Sequence, residues 1–291
     1  TNKINDFDNV NSSQIMMGTD ANKDILQNSG LLTDEAKEAS PNDMMIVVDS
    51  QKDDVMDEEV LPAIDEFLND LASEDSGESK NAVATTWDEA MEQLPDANVA
   101  LFSIPGEYAA PEMEKALKNN LHVFSFTDNV PLEDEVRLKN LAHEKGLMMM
   151  GPDCGTGIIS SIPIAFTNVV SPGNIGIVGA SGTGIQEVTT IIDRLGGGAV
   201  HAIGTGGRDL SDKVGATTMM DAIVGLENHE PTDVICIISK PPEKSVRDKV
   251  VQLLQSVSKP VVAIFLGEKP ENHEGDVYLA HTLEETAKIA V

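Results

Sequence analysis

An α/β protein built on parallel sheets is what this sequence predicts, from three observations. Short, continuously apolar runs alternate with longer amphipathic ones; the pattern pauses over 152–172 and restarts; and several apolar runs end in glycine-rich turns that lead straight into a helix. A strand apolar on both faces belongs in a sheet covered on both sides, and a helix after each strand makes that sheet parallel. The expected organisation is one α/β layer over 1–150, a connector over 151–172 and a second α/β layer over 173–291.

The elements follow in order. "DMMIVVD" (43–49) reads as a buried strand. A helix over 57–72 carries Val60, Leu61, Ile64, Phe67, Leu68 and Leu71 at helical spacing. The polar stretch 74–81 is a loop. "ANVALFSIP" (97–105), "LHVFSFT" (121–127) and "GLMMMG" (146–151) are strands, with helices over 109–119 and 132–145 between them. The second layer has strands at 173–179, 199–207, 233–239 and 260–267. Its helices fall at 183–195, 216–227, 243–257 and 282–290. No repeat of 20–50 residues is visible, which sets solenoids and propellers aside.

Composition narrows the function. The 291 residues carry 20 Lys+Arg against 49 Asp+Glu, a formal net charge of −29. Such a field repels phosphate backbones and anionic lipid, so neither nucleic acid nor membrane is an expected partner. Any anionic ligand must be held by a local site working against it. Ten aromatic residues are too few for base-stacking platforms. Two cysteines, Cys154 and Cys236, exclude a disulfide framework and a multi-cysteine zinc site. No apolar run reaches membrane-span length and no signal-peptide layout opens the chain, so a cytoplasmic location is expected. The chain starts at Thr1, and further natural residues are expected upstream.

Chemistry is expected beyond the carboxyl ends of the strands, where open parallel sheets bind ligands. In "GIVGASGTGIQE" (176–187) an apolar strand runs through Gly179–Gly184 into a helix. Gly182 and Gly184 let backbone approach a ligand, and Ser181 and Thr183 add hydroxyls to the outward helix N–H groups. That combination predicts an anion site worth about 0.3–1 kcal/mol from the helix dipole alone, besides direct hydrogen bonds. The competing reading is a glycine turn that merely closes a βα unit. It is neither a Walker loop nor a full GxGxxG. "GTGGRDLS" (204–211) offers Arg208 for bidentate contact with an oxyanion, while Asp209 or Ser211 caps the next helix; the competing reading is a surface arginine paired with a carboxylate. "ISKPPEKS" (238–245) places Ser239 and Lys240 at the same sheet edge, against a competing reading of a solvated lysine in a structural turn. Cys154 in "MMMGPDCGTG" is expected to be an inert, partly buried thiol. His201 is expected to be a core histidine. The six histidines show no metal-ligand spacing, and no metal site is assigned.

"LHVFSFTDNVPLEDEVRLKNLAHEKGLMMMGPDCGTGII" followed by "GNIGIVGASGTGIQE" resembles the α-subunit of succinyl-CoA synthetase. With "SSQIMMGTDANK", "LPDANVALFSIPGEYAA", "GGRDLS" and "SKPP" added, the sequence is more similar still to the FdrA family of bacterial purine (allantoin) catabolism. That resemblance covers nearly the whole chain and implies either the amino-terminal part of a member, without the further C-terminal domain of that family, or a split or shortened member. It implies a Rossmann-like, CoA-binding-type layer followed by a flavodoxin-like, ligase-type domain. It places the phosphate-receiving helix start on Ser181, Gly182 and Thr183, the CoA-contacting turn on Phe126, Thr127 and Asp128, and a substrate-contacting position on Gln186. The sequence departs from the synthetases where they carry a Gly-His-Ala-Gly segment, since His273 and His281 stand in another context. The acidic turn that supports that histidine is replaced by Ser239–Pro242, and the amino-terminal glycine-rich CoA loop is missing. A phosphohistidine relay is therefore not expected, and no cofactor is assigned.

The expectation is a subunit of a carbamoyl-transferring enzyme (oxalurate plus phosphate to oxamate plus carbamoyl phosphate) in a hetero-oligomer. Ser181–Gly184 would hold the phosphoryl group, Arg208 and Lys240 would act as catalytic cations, and Gln186, Asp209 and Ser239 would contact substrate. Two alternatives stand beside it: an acid–CoA ligase working with a β-type partner, and a non-catalytic scaffold subunit.

Overall fold

A computed structural model describes all residues except 1, 6, 8, 42, 53, 66–82 and 271–274. The expected loop at 74–81, the end of the 57–72 helix and His273 lie outside the described residues. The chain divides into two compact units, 1–93 and 94–291.

The first unit departs from the parallel pattern. β1 (Val10–Met17), which the sequence reading did not assign, pairs antiparallel with β2 (Met44–Ser50). Alternation along β2 serves two small cores. Ile46 and Val48 join Val10, Val55 and Val60, while Met45 and Val47 face Leu26 and Ala36. Helices Asp20–Asn28 and Asp34–Glu38 follow β1, each opened by a threonine. Thr19 Oγ1 accepts from the Asn22 amide and Thr33 Oγ1 from the Ala36 amide. The expected 57–72 helix opens on a wide π turn at Met56–Val60 and is helical to 65.

The second unit contains two parallel arrays. β3 (Val99–Phe102), β4 (His122–Ser125) and β5 (Met149–Met150) form a three-stranded parallel sheet, crossed by helices Gly106–Lys118 and Leu132–Glu144. The larger sheet runs, edge to edge, Val277–Leu279, Val261–Phe265, Val234–Ser239, Ile175–Gly179, Ala199–Gly204, Thr156–Ile159 and Ile162–Ala165. β8 (Ile175–Gly179), β9 (Ala199–Gly204), β10 (Val234–Ser239), β11 (Val261–Phe265) and β12 (Val277–Leu279) are parallel. The expected connector is itself structured. β6 (Thr156–Ile159) and β7 (Ile162–Ala165) make a hairpin that closes one edge of this sheet, with β6 antiparallel to β9.

Both faces of the larger sheet are buried, which explains its uninterrupted apolar strands. Ile235 and Ile237 of β10 meet helices Thr217–Asn228 and Lys244–Leu254 through Met219, Ile223, Val246 and Val250. Cys236 and Ile238 face helices Gly182–Arg194 and Leu283–Ala290 through Ile185, Val188, Ile192 and Ala287. Each fully buried isoleucine or valine contributes about 1.5–3 kcal/mol. Phe124 and Met150 of the smaller sheet share a core with Val178 and Met219. That shared core puts β3–β5 in one unit with β8–β12, and the chain divides at 93 where the sequence reading put its boundary at 150.

A charged cluster sits inside the second unit. Lys139, with no exposed side-chain surface, lies 2.7 Å from Asp209 and 3.1 Å from Glu135, both equally buried. Glu135 also takes the Arg208 guanidinium at 2.8 Å. Two cations and two carboxylates thus compensate one another where single buried charges would be costly.

Candidate functional site: a cleft at the reversal point of the sheet

β8 sits between β9 and β10, so the connection after β8 and the connection after β10 leave in opposite directions. Parallel sheets open a crevice beyond the strand ends at such a reversal. Here the crevice is a cleft of about 280 Å³, walled by Gly179–Thr183 after β8, Gly204, Gly206 and Gly207 after β9, and Lys240 after β10. The rest of its lining is Asp153–Thr156, Phe126, Phe166 and Gln186.

Ser181 is the N-cap of the helix Gly182–Arg194; its backbone is extended and its Oγ accepts the Gly184 amide at 3.2 Å. Gly184 is therefore used up in the cap, and a Cβ there would meet Ile238 at 2.8 Å. Gly182 and Thr183 are exposed at the cleft, and among the described residues nothing accepts their N–H groups. Two free amides at a helix start, with its positive dipole end, are suited to an oxyanion. Gln186 reaches the Phe166 carbonyl and donates to Thr156 Oγ1 at 3.4 Å, so it braces the β6–β7 hairpin against the helix.

The structure brings Ser181, Gly182, Thr183, Gln186 and Lys240 together and corrects three other expectations. Arg208 is not part of the cleft lining. Its guanidinium turns to the Glu135 carboxylate and donates to the Val130 carbonyl at 2.8 Å, because a buried carboxylate outcompetes solvent for it. Asp209, expected at the substrate, is completely buried: it pairs with Lys139 and accepts the Thr218 and Met219 amides at 3.3 and 3.0 Å, capping the following helix. Ser239 is also fully buried, with its hydroxyl donated to the Lys240 carbonyl at 2.6 Å.

Phe126, Thr127 and Asp128 line an adjoining cleft of about 330 Å³ with Ser103, Ile104, Pro105 and Asp153. Phe126 and Asp153 belong to both clefts. The lining of the second cleft has two carboxylates and no lysine or arginine, a donor set that does not fit the phosphates of CoA. Cys154 lines the first cleft, but its thiol is buried and donates to the Thr156 carbonyl; burial pushes its pKa up to about 11, so it stays a thiol. Sequence reasoning missed Asp153, Thr156 and Phe166. "GPDCGTG" held the signal for the first two, and Phe166 ends the apolar run "IPIAF" (162–166), which fell inside the expected connector.

Among the described residues, no group of three or more His, Cys, Asp or Glu could hold a metal, and no helix is long and apolar enough to cross a membrane.

Comparison with known proteins puts a CoA-binding-type domain in the later part of the chain, where the resemblance implied a ligase-type domain, and a different domain at its start. Residues 170–267 match the family model of the CoA binding domain, and residues 1–85 match that of an AllF, heavy metal-associated domain. Residues 1–93 hold no cysteine and no histidine, so a thiolate or imidazole metal site cannot be formed from that segment. An uncharacterized protein YahF of Escherichia coli K12 is 46% identical over 288 residues, 98% of this chain and 55% of that protein. Succinate–CoA ligase [ADP-forming] subunit alpha 2 of Archaeoglobus fulgidus is 28% identical over 59% of this chain and 60% of its own length. The alpha subunit of malate–CoA ligase of Methylorubrum extorquens is also 28% identical, over 64% of each chain. ATP citrate lyase from Methanothrix soehngenii, solved with citrate and coenzyme A, superposes with a TM-score of 0.56 at 22% identity, covering 70% of this chain and 36% of that one. The matched part of this chain thus shares the fold of the corresponding part of that lyase, and the chain spans about 55–64% of the length of the curated relatives. Its second unit carries a CoA-binding-type domain of the kind found in succinate–CoA ligase alpha subunits.

Proposed function

We propose that this chain is the phosphate-holding, α-type part of a multi-subunit enzyme that transfers an acyl group by way of an acyl phosphate. One observation carries the reading: the unaccepted amides of Gly182 and Thr183 open on the same cleft as the Lys240 ammonium, at the reversal point of the sheet. The amides would take two phosphoryl oxygens, and Lys240 would neutralise charge as the phosphate departs. Catalysis would rest on orientation and electrostatics, with the acceptor entering from the adjoining cleft past Phe126 and Asp153.

The finer reading is transfer of a carbamoyl group between carbamoyl phosphate and an amide acceptor such as oxamate, as in the FdrA family. Two features support it over a CoA-dependent route. No described residue of the phosphate cleft is a histidine that could carry a phosphoryl group, and the adjoining cleft is acidic. The ligase reading keeps its own support in the succinate–CoA and malate–CoA ligase relatives. A cytoplasmic location and partner subunits belong to both readings.

Calorimetric titration of the chain with carbamoyl phosphate, inorganic phosphate and CoA separates them. The expected result is binding of the first two, weakened tenfold or more by Lys240→Ala, with CoA silent. CoA binding without phosphate binding would favour the ligase, and silence from all three would reject the site.

A further inference from the structure

Buried charge behind the glycine-rich end of β9 points to a second anion-accepting wall. Lys139 donates to the Thr205 carbonyl at 2.8 Å from the side away from the cleft lining. Carbonyl and N–H of one trans peptide point in opposite directions, so the Gly206 N–H faces away from Lys139. The next peptide is set the same way: the Gly206 carbonyl accepts from the Asp209 amide, at 3.4 Å, which turns the Gly207 N–H away from Asp209.

Among the described residues nothing accepts the N–H of Gly206 or of Gly207, although both residues line the cleft and Gly206 is buried. A buried amide without an acceptor is rare and calls for a ligand or water to explain it. The backbone is built for this arrangement. Gly206 has φ +87°, and a Cβ on it would stand 2.3 Å from the Pro152 carbonyl oxygen. The ammonium on the Thr205 carbonyl also polarises that peptide, making its N–H a stronger donor.

We propose that the Gly206 and Gly207 amides form an oxyanion hole for the carbonyl oxygen of the acyl phosphate, with Lys139 as its positioning residue. The inference rests on the acyl-phosphate reading and deepens it, since the bound molecule must carry a carbonyl beside its phosphoryl group. The phosphoryl end lies on Gly182 and Thr183; the carbonyl end lies on Gly206 and Gly207. The acceptor's lone pair forms a bond to the carbonyl carbon, and the C=O π pair moves onto oxygen, where the two amides meet it. Re-forming C=O breaks the bond to the bridging oxygen. That bond's electron pair leaves with phosphate, which takes up the proton lost by the acceptor.

The test uses two probes that differ only in the carbonyl, acetonylphosphonate and n-propylphosphonate, titrated into the ¹⁵N-labelled chain. The expected result is shifts at Gly182 and Thr183 with both probes and at Gly206 and Gly207 with acetonylphosphonate alone. Acetonylphosphonate should bind about 5–100-fold more tightly, as two hydrogen bonds to a neutral carbonyl would give. Lys139→Met should remove that preference while leaving n-propylphosphonate binding in place. Gly207→Ala is the second variant if Lys139→Met does not fold; its Cβ would enter the cleft 3.4 Å from Asp153 Oδ2 and 3.8 Å from Lys240 Nζ, in space the carbonyl would use. Equal affinities with shifts confined to Gly182 and Thr183 would overturn the oxyanion hole and leave the phosphate site standing. A preference that survives in the variant that folds would overturn it as well. Failure of both probes to bind would reject the phosphate site itself, and the oxyanion hole with it.

Discussion

Two glycine-rich strand ends face the same cleft, Gly179–Gly184 after β8 and Gly204–Asp209 after β9, and they use their polar side chains in opposite ways. After β8, the Ser181 hydroxyl caps its own helix, and the amides of Gly182 and Thr183 stay open at the cleft. After β9, Arg208 and Asp209 are drawn inward to Glu135 and Lys139, leaving only backbone to face the cleft. Similar composition therefore yields a helix start with open amides in one place and a backbone wall backed by buried charge in the other. The difference lies in what stands behind each loop: an apolar helix face with Ile185 in the first, a lysine without exposed surface in the second.

The largest effect should come from breaking the second of these. Lys139→Met leaves the Asp209 and Glu135 carboxylates buried with Arg208 as their remaining cation. The loss of one partner from a buried pair costs about 3–5 kcal/mol, read as a lower urea midpoint. A change under about 1 kcal/mol would show that water already reaches the cluster. Breaking the first should cost less. Ser181→Ala removes an N-cap, about 1 kcal/mol, and frees the Gly184 amide. Its thermal midpoint should fall by a few degrees while the fold persists. Arg208→Gln should cost no more than that, because its side chain is 44% exposed and Lys139 still neutralises the buried Glu135 carboxylate. If Arg208→Gln abolished phosphate binding without moving the stability curve, Arg208 would act in the cleft and not only in the network with Glu135.

The same contrast explains how much was legible beforehand. The strands of the larger sheet could be read because burial on both faces forces unbroken apolar runs, as in Val234–Ser239 and Val261–Phe265. Ser181, Gly182 and Thr183 could be read because a cap and free amides are local consequences of a strand running into a helix. β1 escaped notice because "VNSSQIMM" is half polar and acquires its meaning only against β2. Arg208 and Asp209 were assigned to substrate because their partners lie about 70 residues away, on the helix Leu132–Glu144. Charge pairing across that distance leaves no periodic trace in the sequence.

The smallest expected effect concerns His201, in the same strand β9 but at the far end from the cleft. Its Nδ1 accepts the Ser160 amide at 3.1 Å, so the neutral ring carries its proton on Nε2 and donates to His229 Nε2 at 3.4 Å. His229 then carries its proton on Nδ1, facing Thr232 Oγ1 at 2.9 Å. Burial lowers the His201 pKa, and the neighbouring His229 lowers it further. A histidine depressed in the folded state favours folding above its ordinary value of about 6.5, and that contribution is lost as pH falls through the lower folded value. Urea midpoints should therefore decline from pH 7.5 to pH 5.5, a window above the main titration of the carboxylates. His201→Gln should flatten part of that decline, His122, also depressed by burial, supplying another part. An unchanged slope in His201→Gln would mean that the two rings separate on protonation without cost to the fold, and that β9 is anchored by the cluster around Lys139 alone.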